Sequence, residues 1–215
     1  MTVNPVDPPV PATVVAKAAT ARTKPAEVRL EELMAAAETL FLEKGVEATT
    51  VSEIVEKAQV AKGTFYHYFS SKSEMLEALE RRYTQQFLAS LERAVAACAE
   101  DDWAGRLRAW IEASVAAYAQ TYRTHDMVYT NHHHLDRDNP ARNAILAQLL
   151  HIVEGGAAAG VWAAPRPRMV ALLIYAGVHG ATDDLIAARA ATVEPFAQDL
   201  AEHCLRLLPP EGQAD

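Results

Sequence analysis

The chain has 215 residues, half of them apolar, so it can bury a sizeable core, and its two cysteines, Cys98 and Cys204, lie far apart with no CxxC spacing that would suggest a disulfide framework or a zinc site. A formal net charge of −8 argues against nonspecific coating of nucleic acid, because attraction to phosphate needs a basic surface. No apolar run approaches the roughly 20 residues that span a bilayer, and the amino terminus lacks the charged-then-apolar order of a signal peptide, so a soluble cytoplasmic protein without a membrane partner is expected.

Residues 1–25 hold five prolines and no apolar period, which predicts a disordered tail. Arg22 and Lys24 could reach a minor groove, although a solvated tail is the simpler reading. From Leu30, the apolar positions Leu33, Met34, Ala37, Leu40 and Phe41 follow the helical period of about 3.6 residues, with Gly45 as the stop. Thr50-Val51-Ser52-Glu53 is a capping box that starts a second helix at Val51, running to about Ala58. A second box stands at Ser71-Lys72-Ser73-Glu74. Between them, Ala61 to Phe69 suits a two-turn helix after a turn at Gln59-Val60, so residues 26–72 read as a three-helix helix-turn-helix domain. Residues 57–72 carry Lys57, Lys62 and Lys72 and no acid, a local basic patch in an acidic chain.

Residues 73–215 read as a larger helical domain. Met75 to Val95 form one long stripe, Trp103 to Tyr122 a second, and Asn139-Pro140 an N-cap with proline at the first helical position. Residues 169–189 are apolar around most of their circumference, and Phe196, Leu200, Cys204, Leu207 and Leu208 share a face of the last helix. No strand or repeat is evident, and the whole reads as all-α with about nine helices.

Residues 49–76, TTVSEIVEKAQVAKGTFYHYFSSKSEML, carry the specific signal. Over about residues 28–80 the chain resembles the tetracycline-repressor (TetR) family of bacterial regulators. Ile54, Ala58, Val60, Phe65 and Phe69 stand at the family's packing positions, Lys62 to Phe69 resembles its recognition helix, and Lys72 its lysine at the start of the fourth helix. Two positions depart from the pattern: Gln59 replaces the usual turn glycine, and Ala61 the usual Ser or Thr cap. A recognition helix of this kind lies in the major groove, where Gly63 permits close backbone approach. Thr64, Tyr66, His67 and Tyr68 would then offer polar groups to bases or phosphates, while Lys62, Lys72, Thr49 and Thr50 would contact the phosphate backbone.

For the larger domain the resemblance implies a ligand pocket and a dimer interface, here through about residues 169–189 and 193–208, with Gly177 and Gly180 allowing close helix approach. The polar-tipped aromatics of the central helices suit an apolar or aromatic effector, with Trp103, Trp110, Tyr118, Tyr122, Met127, Tyr129, Tyr175 and His179 as pocket candidates. The reading is thus a ligand-responsive regulator, by default a repressor, that binds a near-palindromic double-stranded operator as a homodimer and needs no cofactor. Three rival classes stand against this reading. An enzyme is disfavoured because no Gly-rich phosphate loop, GxSxG or HExxH is present. A helical interaction protein is disfavoured by the acid-free lysine patch. A metal-responsive regulator would use His132, His133 and His134, but consecutive helical residues point in different directions and cannot share one ion, which leaves only a pair such as His132 with Asp136 one turn on.

Overall fold

A computed structural model describes residues 25–129, 139–189 and 192–210. These form eight α-helices and no strand: α1 (Ala26–Lys44), α2 (Val51–Lys57), α3 (Lys62–Tyr68), α4 (Lys72–Ala96), α5 (Trp103–Val128), α6 (Pro140–Ala158), α7 (Pro167–Ala187) and α8 (Val193–Leu205). The count among the described residues is close to the expected nine or so, and α5 runs unbroken past Tyr122, the end of its apolar stripe. The Pro-rich tail and His132–His134 lie outside the described residues.

Local sequence sets the ends. Thr50 accepts from the Glu53 amide while the Glu53 carboxylate accepts from the Thr50 amide at 2.8 Å, the reciprocal box that starts α2. At α4 the exchange is offset by one residue: Ser71 accepts from the Glu74 amide, but Glu74 reaches back to the amide and hydroxyl of Ser70. Asn139 caps α6 ahead of Pro140. The turn before α3 places Gln59 in the left-handed region at φ 55°, which is why glycine suits this position, and Ala61 caps α3 without a side-chain bond.

Two apolar cores result. The first gathers Leu33, Ala37, Phe41, Ile54, Phe65, Met75 and Leu79 from α1 to α4, together with Met127 and Val128 from the end of α5. The second gathers Leu91, Leu107, Trp110, Ile111, Leu149, Ile152, Trp162, Ile174 and Ala201 from α4 to α8. Helices α4 and α5 therefore belong to both cores and join them. By length and composition alone α7 is apolar enough to cross a membrane, with mean hydropathy 1.3, a test that a core helix also passes. One side of it packs in the second core through Ala171, Ile174 and Val178.

Candidate nucleic-acid interface and ligand cavity

Helix α3 is anchored by Phe65, fully buried, and Phe69, whose rings lie 5.8 Å apart. With these two turned inward, the helical period turns Lys62, Gly63, Tyr66 and His67 outward. Tyr66 is 53% exposed, unusual for a tyrosine beside a packed core. Thr64 and Tyr68 are half-buried, and the Tyr68 hydroxyl donates to the Ala26 carbonyl at 3.0 Å, tying α3 to the start of α1. Lys57 lies 3.9 Å from Glu43, whereas Lys62 makes no ion pair among the described residues. A methyl group on Gly63 would meet nothing within 4 Å, so the backbone there is open to approach.

The three remaining sequence candidates have structural duties. Thr49 is 1% exposed and its hydroxyl donates to the Gly45 carbonyl at 2.8 Å, so burial removes it from any outer surface. The Lys72 ammonium meets the carbonyls of Val46, Glu47 and Thr49 at 2.6, 3.1 and 3.0 Å, which uses all three of its donors to fix the loop between α1 and α2. Thr50 remains exposed, but its hydroxyl serves the capping box. Outward presentation thus falls to Lys62, Gly63, Tyr66 and His67.

A narrow cleft opens among α4, α5, α6 and α7, with about 610 Å³ of empty space including its mouth. Of the predicted pocket residues, Trp110, Tyr118, Tyr129, Tyr175 and His179 line it. The other three do not. Trp103 is packed over Gly155 and beside Arg106, Tyr122 lines a separate shallow groove with Leu185 and Val193, and Met127 is buried in the first core. The sequence reading missed Tyr83, Phe87, Ser114, His125, Asn139, Arg142, Ile145, Val178 and Thr182. Asn139 was legible only as a cap, and nothing in the helical period distinguishes Arg142 from a solvent-facing arginine.

The hydroxyls around this cleft are largely engaged with the protein. Tyr118 donates to Asp183 Oδ1 at 2.5 Å, Tyr83 pairs with Thr121 at 3.0 Å, Tyr129 with Thr84 at 2.7 Å, and Thr182 with the Val178 carbonyl at 2.7 Å. Burial pushes the phenols of Tyr83, Tyr118, Tyr129 and Tyr175 above the usual tyrosine range, so they stay neutral. Burial also lowers the His179 pKa, against the opposing pull of Asp183, whose carboxylate lies 3.1 Å from its Nδ1. Apart from Arg142, the walls therefore present mostly ring faces, aliphatic carbon and hydroxyls already engaged, as a largely apolar guest requires.

Residues 33–79 match the family described as bacterial regulatory proteins, tetR family. The repressor KstR2 of Mycolicibacterium smegmatis is 40% identical over 55 residues, 26% of this chain and 27% of that protein. The activator FasR of the same species is 32% identical over 89 residues, 41% of this chain and 40% of its own. The chain thus spans well under half the length of the curated relatives it matches. Solved structures extend the likeness in fold. The Bacillus subtilis regulator FadR in complex with stearoyl-CoA superposes with a TM-score of 0.64 at 20% identity, covering 81% of this chain and 96% of that one. A SmeT–triclosan complex gives 0.67 at 18% identity, covering 86% and 93%. Residues 33–79 thus carry the helix-turn-helix of the tetR family of bacterial regulatory proteins, and the described helices share the all-helical fold of these solved structures.

Proposed function

We propose that the protein is a ligand-responsive repressor that binds a near-palindromic operator as a homodimer and is released by a small apolar or aromatic effector. The observation that carries the reading is the outward face of α3, where Lys62, Gly63, Tyr66 and His67 stand together on a two-turn helix of a size that enters a major groove. Lys62 supplies the phosphate contact and Tyr66 and His67 the base edges, while Thr64 and Tyr68, half-buried, border the contact. The functional units are a DNA-binding domain over residues 26–72 and an effector and dimerisation domain over residues 73–215, with α4 and α5 shared between their cores. Repression follows KstR2, named a repressor; FasR, named an activator, marks the alternative outcome.

The dimer is proposed through α7. Met169, Leu172 and Leu173 are 46%, 40% and 58% exposed, and Ala176, Gly177 and Gly180 continue that face with open space above both glycines. The apolar stripe of α8 contributes less than its sequence suggested: Cys204 and Leu208 are buried in the second core, Phe196 and Leu200 pack against it, and only Leu207 stands exposed at 51%. The effector occupies the cleft among α4 to α7. Binding there favours a spacing of the two recognition helices that no longer matches successive major grooves about 34 Å apart.

The test is to equilibrate the purified protein with a pool of random duplexes across a salt series and sequence the retained fraction. Recovery of a near-palindrome that Lys62→Ala with Tyr66→Ala no longer retains supports the reading. Full retention by that double variant overturns it.

A further inference from the structure

We infer that the effector is an amphipathic anion, an acid head seated against Arg142 with a slim apolar body lying among the aromatic rings of the cleft. The inference rests on the effector cavity proposed above and assigns the chemistry of its guest. Arg142 occupies the third position of α6, behind the cap in which Asn139 Oδ1 accepts from its amide at 3.1 Å. Its guanidinium lies against the cleft, with its carbon 5.9 Å from the centre of the Tyr175 ring. One Nη1 bond goes to the side-chain oxygen of Asn143 at 3.2 Å, and the buried Nε has no hydrogen-bond partner. Among the described residues, no carboxylate forms an ion pair with it.

A cation at the wall of an apolar cleft with an unused buried donor carries a desolvation cost that an anionic guest would offset. The first turn of α6, with its partial positive charge, adds to the same field. Among the described residues, the acids around the cleft are engaged elsewhere. Asp183 on α7 accepts from the Tyr118 phenol and meets His179, and Asp126 on α5 lies 3.0 Å from His125. Glu80 on α4 raises the pKa of Tyr129 from outside the lining. Phe87, Ile145 and Val178 supply apolar wall for the body of the guest. Charge and shape together select an acid over an alcohol or ammonium ion of the same chain length.

Calorimetric titration of the full chain at pH 7 with decanoate, decan-1-ol and decyltrimethylammonium, each below its micellar concentration, tests this. Decanoate should bind about tenfold or more tighter than the alcohol, the size of one charge-assisted hydrogen bond. Arg142→Gln should remove that preference, and Arg142→Lys should keep part of it; thermal melting of both variants reports folding. If the alcohol or ammonium binds better, or if Arg142→Gln keeps the preference for the acid, the inference fails while the cavity stands. Binding of none of the three would overturn the effector cavity along with the inference, and DNA retention by the same preparation reports separately on the helix-turn-helix.

Discussion

The phenol of Tyr129 meets the hydroxyl of Thr84 at 2.7 Å, joining the last turn of α5 to the middle of α4. One face of Tyr129 lines the cleft, and its ring lies 6.0 Å from that of Tyr83, a residue of the first core. The bond therefore lies where the cleft and the first core, that of the helix-turn-helix, touch. Thr84 also donates to the Glu80 carbonyl at 2.9 Å, so Tyr129→Phe leaves its hydroxyl with a partner, and the loss in stability should be near the low end of about 0.5–1.5 kcal/mol. The expected outcome is near-normal operator affinity without effector and a reduced release by effector, read by fluorescence anisotropy of a labelled operator. Unchanged release would show that coupling bypasses this bond.

Gly63→Ala separates folding from DNA binding. The added methyl meets nothing within 4 Å, and alanine in a helix is favoured over glycine by about 0.5–1 kcal/mol, so the melting temperature should hold or rise. Operator affinity should fall, because the methyl stands on the face proposed to approach phosphate. Loss of stability with intact affinity would place α3 in a packing role.

The fold was legible because helical period and caps are local properties of the chain: α2 begins at its capping box and α6 at Asn139-Pro140, as their sequences predict. Side-chain direction at the site was legible only in part. Tyr118 and Tyr122 are one helical turn apart and chemically alike, yet one lines the cleft and the other faces outward, a difference decided by which neighbouring helices surround α5. Lys72 and Thr49 carry the residue types of phosphate contacts, but the loop after α1 needs their hydrogen bonds, and that need follows from a turn geometry no spacing reveals. Arg142 was invisible for the same reason, since its exposure depends on how α6 docks against α7.

The Glu53 carboxyl is held at about 2, well below its usual 4.5, chiefly by the ammonium of Lys44 and then by the amide and hydroxyl of Thr50. Between roughly pH 4.5 and 2 the unfolded chain gains a proton at this site that the folded chain resists, so the stabilisation is fully present above that window and is lost as pH falls through it. Glu53→Gln should therefore be less stable than the parent at pH 7, with a gap that narrows steadily as the pH is lowered to 3. Urea unfolding of both proteins across this range measures it. A gap independent of pH would assign the loss to the cap's shape rather than to its charge.

Leu173→Glu tests the α7 face. Leu173 is 58% exposed, so a charge there costs the monomer little, and surface changes of this kind usually stay within about 0.5 kcal/mol. In a symmetric contact the same residue meets its own copy or lies close to it, so one substitution sets two carboxylates in a buried apolar patch, which strongly disfavours association. Sedimentation velocity should show a dimer for the parent and a monomer of unchanged helical content for the variant. Operator binding should weaken with it, because two half-sites are then no longer held by one molecule. A variant that stays dimeric would move the interface off α7, and the polar outer face of α8 with Leu207 would become the surface to substitute next.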